Sequence, residues 1–120
     1  MDLGMIGLGR MGGNMTQRLL GGGHRVVAFD PNPEAVQTQA REGAVPADSL
    51  AGLVGQLTGP RAVWMMVPAG DPTEATLDEL ANLLSPGDVV IDGGNSNYKD
   101  SARRAAALEK RGLHFLDAGT

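Results

Sequence analysis

The chain has 120 residues, enough for one domain that buries its own core without disulfide or metal staples. Hydrophobic residues make up 42% and charged residues 20%, a globular balance, and the net charge of −4 without any Lys/Arg cluster argues against a nucleic-acid surface. The absence of cysteine excludes disulfides and thiolate chemistry, and no apolar run reaches the ~18 residues of a membrane span, so a cytoplasmic location is expected.

Leu3–Ile6 is short and apolar and runs into glycines, as a buried strand does. Gly12–Leu20 follows as a helix, with Met11, Met15, Leu19 and Leu20 near helical spacing, and Gly21–Gly23 stops it. Arg25–Asp30 is a second strand. Pro31-Asn32-Pro33 is a turn into the helix Glu34–Glu42, which Gly43 closes. Asp48–Leu57 reads as a weaker helix capped by Asp48 or Ser49. Arg61–Val67 is an unbroken apolar run between prolines, predicted as a central strand buried on both faces. Thr73–Leu84 is a helix, Asp88–Asp92 a strand, Lys99–Arg111 a helix stopped by Gly112, and Leu113–Leu116 a last strand. Five strands alternating with helices predict an α/β fold: a doubly wound parallel sheet in a three-layer α/β/α arrangement with right-handed crossovers. The whole chain reads as one domain. Its stop just after a strand is expected of a piece of a larger enzyme.

Glycine accounts for 18 residues, about twice its usual share, so its placement matters. Gly7-Leu8-Gly9-Arg10-Met11-Gly12 is a G-x-G-x-x-G pattern directly after the first strand and opening the first helix. There Gly7 permits the tight turn, Gly9 lets a pyrophosphate approach the backbone, and Gly12 lets helix and strand pack closely. The helix N-terminus adds free N–H groups and partial positive charge. This is the fingerprint of a Rossmann-type dinucleotide site; Met11 in the loop is placed to touch the cofactor, and Arg10 either reaches the phosphates or is a solvated surface residue. Asp30, 18 positions after Gly12, is placed to accept hydrogen bonds from the adenosine ribose hydroxyls. Its charge opposes the 2′-phosphate of NADP, and Pro31, Asn32 and Pro33 supply no arginine to offset it. NAD is therefore the expected cofactor, preferred over NADP.

Ligands of such sheets bind beyond the carboxyl ends of the strands. Val67-Pro68-Ala69-Gly70, Gly93-Gly94-Asn95-Ser96 and Asp117-Ala118-Gly119-Thr120 follow three strands there, and their small residues leave room for a flat ring and a sugar. Asn95 can both donate and accept a hydrogen bond, which suits a polyhydroxy substrate or the nicotinamide ribose. Met65 and Met66 are expected in the core on opposite faces. His24 and His114 fall near strand starts, away from the site, and no cluster of ligand residues suggests a metal.

Five stretches together resemble 6-phosphogluconate dehydrogenase: MIGLGRMGGNM (Met5–Met15), VVAFDPNPEAV (Val26–Val36), VWMMVPAG (Val63–Gly70), VIDGGNSNYKDS (Val90–Ser101) and FLDAGT (Phe115–Thr120). The D-G-G-N-S run is the most specific, since the related hydroxyisobutyrate dehydrogenases usually carry D-x-S-T at this point. The resemblance implies oxidation of 6-phosphogluconate and loss of CO₂ to give ribulose 5-phosphate. It implies cofactor contacts from Gly7, Gly9, Met11 and Gly12, with Asp30 at the adenosine ribose, a nicotinamide side lined by Val67, Pro68 and Ala69, and Asn95 between substrate and cofactor; Leu8 and Arg10 of the same loop are expected among the cofactor-binding residues. NADP-dependent members carry Asn-Arg-Thr where this chain has Asp30-Pro31-Asn32, which points to an NAD-preferring branch. The family's Ser-Gly-Gly, its catalytic Lys and Glu, and the helical domain through which it forms homodimers all come after the stretch matched here. No catalytic residue is therefore expected within the chain, and the chain alone is expected to be inactive. Two alternatives stay open: a short β-hydroxy acid dehydrogenase domain, and an NAD-binding module without chemistry.

Overall fold

The computed structural model describes residues 2–66, 71–93 and 98–117. In chain order the elements are β1 (Asp2–Ile6), α1 (Arg10–Gly21), β2 (Arg25–Phe29), α2 (Pro33–Arg41), β3 (Val45–Pro46) and α3 (Leu50–Gly55). They continue with β4 (Ala62–Met65), α4 (Asp71–Leu83), β5 (Val89–Asp92), α5 (Tyr98–Glu109) and β6 (His114–Asp117). The six strands form one sheet in the order β3-β2-β1-β4-β5-β6, and every neighbouring pair is parallel. Strand order reverses between β1 and β4, which places the topological switch point there.

The predicted α/β class and every predicted element are present, with one strand more than the sequence reading gave. That strand, β3, has two residues, and one of them is Pro46, which cannot donate to a ladder. It survives at the sheet edge, where Pro is tolerated. Pairing of Val27 with Val45 and Ala28 with Pro46 holds it, together with the Ala47 N–H donated to the Ala28 carbonyl at 3.0 Å. A two-residue strand has no periodicity to read.

Helix ends also moved. α1 starts at Arg10, so Gly12 and Gly13 lie inside it despite their poor helix propensity. Packing explains Gly12, which meets backbone, more firmly than Gly13, which meets the end of a side chain. A Cβ on Gly12 would stand 1.9 Å from the Gly7 carbonyl oxygen, and one on Gly13 would stand 2.8 Å from Gln39 Nε2. α2 begins with Pro33 behind an Asn32 cap whose Oδ1 accepts from the Glu34 N–H at 3.0 Å. α3 is shorter than expected, and its cap is Ser49, whose Oγ accepts from the Gly52 N–H at 2.9 Å.

The sheet separates two cores. Leu50, Leu53 and Leu57 around α3, Leu77 and Leu80 of α4 and Leu108 of α5 pack on Val27, Val63, Met65 and Val90. On the other face Met15, Leu19 and Leu20 of α1 and Val36 of α2 pack on Leu3, Met5, Val26 and Ala28, with Trp64 and Met66 partly buried beside them. Met65 and Met66 thus fall in opposite cores, as strand alternation requires.

The second core is lopsided. Ala28, Met5, Trp64, Ile91 and Leu116 are register partners in one row across β2, β1, β4, β5 and β6. Ala28 and Met5 are 0% exposed, Trp64 and Ile91 intermediate, and Leu116 56% exposed. Helix residues in this core come from α1 and α2, over the β1–β2 half of the sheet.

Candidate functional site

The connection from β1 to α1 is three residues long, and each is held differently. Gly7 has φ of 92°, a left-handed conformation that favours glycine, and its N–H donates to the Phe29 carbonyl at 3.0 Å. Leu8 is buried in the core against β1 and β2, and its N–H donates to Asp30 Oδ2 at 2.7 Å. Gly9 is exposed, has φ of −64°, and would meet nothing within 4 Å if it carried a Cβ. Its need for glycine is therefore neither conformational nor a matter of crowding within the protein. What remains is the open space in front of it, the approach a pyrophosphate would use.

Gly9 is also the N-cap of α1, without a side-chain cap and without an acidic residue in the first turn. The first-turn amides are left for another acceptor, and the helix dipole makes an anion the favoured one. Arg10 and Met11 are both exposed at this end, Met11 to 67%. Gly12 is buried against Gly7 and fixes the loop to the helix. The open face of Gly9, the uncapped amides and the close Gly7–Gly12 contact fit a dinucleotide pyrophosphate.

Asp30 stands immediately after β2 and is half-buried. Besides the Leu8 amide it accepts the Asn32 N–H on Oδ1 at 2.8 Å. Next to it a cleft of about 190 Å³ opens at the ends of β2 and β3, walled by Pro31, Pro33, Val36 and Asp48 among others. The cleft has two carboxylates, Asp30 and Asp48, and among the described residues no Lys or Arg lines it. Asp48 is the contribution sequence reading missed: it read only as a helix cap, because nothing local reveals that β3 delivers it beside Asp30.

At the end of β5, Asp92 is 0% exposed and Arg104 of α5 approaches it, with Nη1 4.0 Å from Asp92 Oδ2. Arg104 Nε donates to Glu74 Oε1 of α4 at 2.8 Å, and Arg103 donates to the same oxygen. Burial pushes the Glu74 carboxyl up, but the two guanidinium groups outweigh it and hold it below its ordinary value. Gly93 has a packing reason to be small. A Cβ there would lie 2.2 Å from Trp64 Nε1 and 2.4 Å from Met66 Sδ, so the chain leaving β5 is pressed onto those two side chains.

Of the predicted site residues, Gly7, Leu8, Gly9, Arg10, Met11, Gly12 and Asp30 come together at the β1–β2 edge. Val67, Pro68, Ala69 and Asn95 lie outside the described residues. His24 lies just before β2 and His114 opens β6, at the amino ends of the strands and remote from this edge. Among the described residues no group of carboxylates and imidazoles could hold a metal ion.

Residues 2–120 match the family model described as the NAD binding domain of 6-phosphogluconate dehydrogenase. An NAD(+)-dependent, decarboxylating 6-phosphogluconate dehydrogenase of Haloferax volcanii is 52% identical over 120 residues, which is 100% of this chain and 39% of that protein. Among solved structures, 3-hydroxyisobutyrate dehydrogenase of Mycobacterium tuberculosis superposes with a TM-score of 0.88 at 28% identity, covering 97% of this chain and 39% of the other. Plasmodium falciparum 6-phosphogluconate dehydrogenase, studied alone, with its cofactor NADP+ and with its substrate 6-phosphogluconate, gives a TM-score of 0.89. At 24% identity, over 96% of this chain and 26% of that one, the latter likeness is one of fold.

Proposed function

Because the chain belongs to the family of NAD-binding domains of 6-phosphogluconate dehydrogenase, we propose that it is the cofactor-holding part of an enzyme that converts 6-phosphogluconate to ribulose 5-phosphate and CO₂, with NAD preferred over NADP. The chain spans about two fifths of the length of its Haloferax relative, so activity, substrate and homodimeric assembly belong to this proposal. The carrying observation is the loop 7–9 with its uncapped helix and the carboxylate of Asp30 beside it.

NAD, when bound, accepts the hydride lost by the substrate carbon. The residues of this chain bind and orient. The first-turn amides of α1 receive the pyrophosphate, and the bare backbone of Gly9 allows its approach. Asp30 accepts hydrogen bonds from the adenosine ribose. Asp48 adds a second negative charge to the cleft beside it, so a 2′-phosphate there would face two carboxylates, and among the described residues no Lys or Arg lines that cleft. Val67, Pro68, Ala69 and Asn95 are assigned to the nicotinamide and substrate side from sequence. No residue of this chain is proposed as acid or base.

Calorimetric titration with the two cofactors tests the preference. NAD should bind at least about tenfold more tightly than NADP, a gap of roughly 1.4 kcal/mol. Equal or tighter NADP binding would reject it. The likeness to 3-hydroxyisobutyrate dehydrogenase favours a second reading, a short β-hydroxy acid as substrate. The D-G-G-N-S run at 92–96 speaks for the sugar acid instead.

A further inference from the structure

Asp30 makes one contact more than a ribose acceptor needs. Its Oδ2 reaches across 22 positions of chain to the Leu8 N–H at 2.7 Å, while Oδ1 holds the Asn32 N–H at 2.8 Å. Leu8 is the middle of the three-residue connection between β1 and α1. On one side Gly7 is tied by its N–H to the Phe29 carbonyl; on the other Gly9 touches nothing within 4 Å on its Cβ side. The Leu8 side chain is buried and its amide faces the end of β2, so without Asp30 that N–H would lose its acceptor in a half-buried place. A hydrogen bond to a carboxylate is among the stronger ones available to a backbone amide. Each carboxylate oxygen still has accepting capacity after one N–H, so loop and ribose can be served together.

We infer that Asp30 is a positioning residue for the pyrophosphate loop as well as the ribose acceptor. Its carboxylate sets the place of the Leu8 amide and, through Leu8, the presentation of Gly9 and the α1 N-terminus. This rests on the dinucleotide reading above. It has a consequence for cofactor preference: the group that opposes a 2′-phosphate also holds the phosphate loop. Removing it weakens binding of both cofactors rather than trading one for the other.

The test separates the loop from the ribose by using an NAD analogue whose adenosine carries 2′,3′-dideoxyribose and so offers Asp30 no hydroxyl. Wild type and Asp30→Ala are titrated with NAD and with the analogue. The substitution should weaken the analogue about fivefold or more, and NAD by a larger factor. An analogue that binds both proteins equally overturns the loop role and leaves the ribose role standing. A second measurement needs no cofactor: amide exchange of Leu8 in ligand-free Asp30→Ser, whose side chain is too short to reach that amide. Exchange should quicken about tenfold relative to wild type. An unchanged rate overturns the inference. Wild type binding neither NAD nor the analogue would instead reject the dinucleotide reading, and the exchange measurement alone would then decide the role of Asp30.

Discussion

Two glycines of the same loop answer to different forces. Gly7 is held by its backbone conformation and Gly9 by nothing inside the protein. Gly9→Ala should therefore leave folding almost untouched, within about 0.5 kcal/mol by thermal unfolding, because its φ is ordinary and its surroundings are open. NAD affinity of the same variant should fall below detection, since the added methyl occupies the approach of the pyrophosphate. A stable Gly9→Ala protein with normal NAD affinity would remove the loop from the site. The contrast was partly legible in sequence. The spacing of Gly7, Gly9 and Gly12 assigned the three roles, and the Gly7 turn and Gly12 contact follow them. The engagement of Asp30 with Leu8 was not legible, because a hydrogen bond between positions 22 apart depends on how two parallel strands end side by side. The close packing of Trp64 and Met66 against Gly93 was not legible either, since it depends on how neighbouring strands end.

At the scale of elements, the long ones were readable because each carries its period over several turns or a continuous apolar run. β3 was not, having no length over which a pattern could repeat. Two carboxylates bind elements together in ways sequence could not place. Asp88 sits in the turn before β5 and accepts the Arg61 N–H on Oδ1 at 2.7 Å and the Ser85 N–H on Oδ2 at 2.8 Å, with the Arg61 guanidinium at 3.1 Å. It joins the approach to β4 to the exit of α4. Burial pushes its carboxyl up, yet these hydrogen bonds and the Arg61 charge reverse that and hold it below its ordinary value of 3.8. Glu74 joins α4 to α5 in the same way, held below 4.5. Both groups bind protons more weakly when folded than when unfolded. Their contribution is thus complete above the ordinary values and lost as pH falls through the lowered ones. The melting temperature should stay level from neutral pH down to about pH 5 and fall below about pH 4. Asp88→Asn should melt lower at neutral pH and show a shallower acid decline. An Asp88→Asn protein with the full acid decline would show that Asp88 does not contribute to it.

Across the whole molecule the row from Ala28 to Leu116 runs from fully covered to largely bare. The edge strand β6 has a paired neighbour on one side, β5, and its Leu116 projects from the face where the helix contacts come from α1 and α2. Fewer apolar contacts, and an outer side that no strand among the described residues pairs with, lower the free energy of local opening. Apart from the two-residue edge strand β3, the sheet should therefore loosen from β6 inward. Hydrogen exchange followed by mass spectrometry should find peptides from β1 and β2 protected up to global unfolding, with β5 intermediate and β6 fastest. Uniform protection across the five longer strands would contradict this. The loop 7–9 and Asp30 sit on the slow-opening side. Their geometry is thus kept through the frequent, partial excursions of the protein and surrendered only when the whole chain unfolds. A ligand held there would report on global stability, and one leaning on the β5–β6 side would sense every fluctuation of a strand with one bare face.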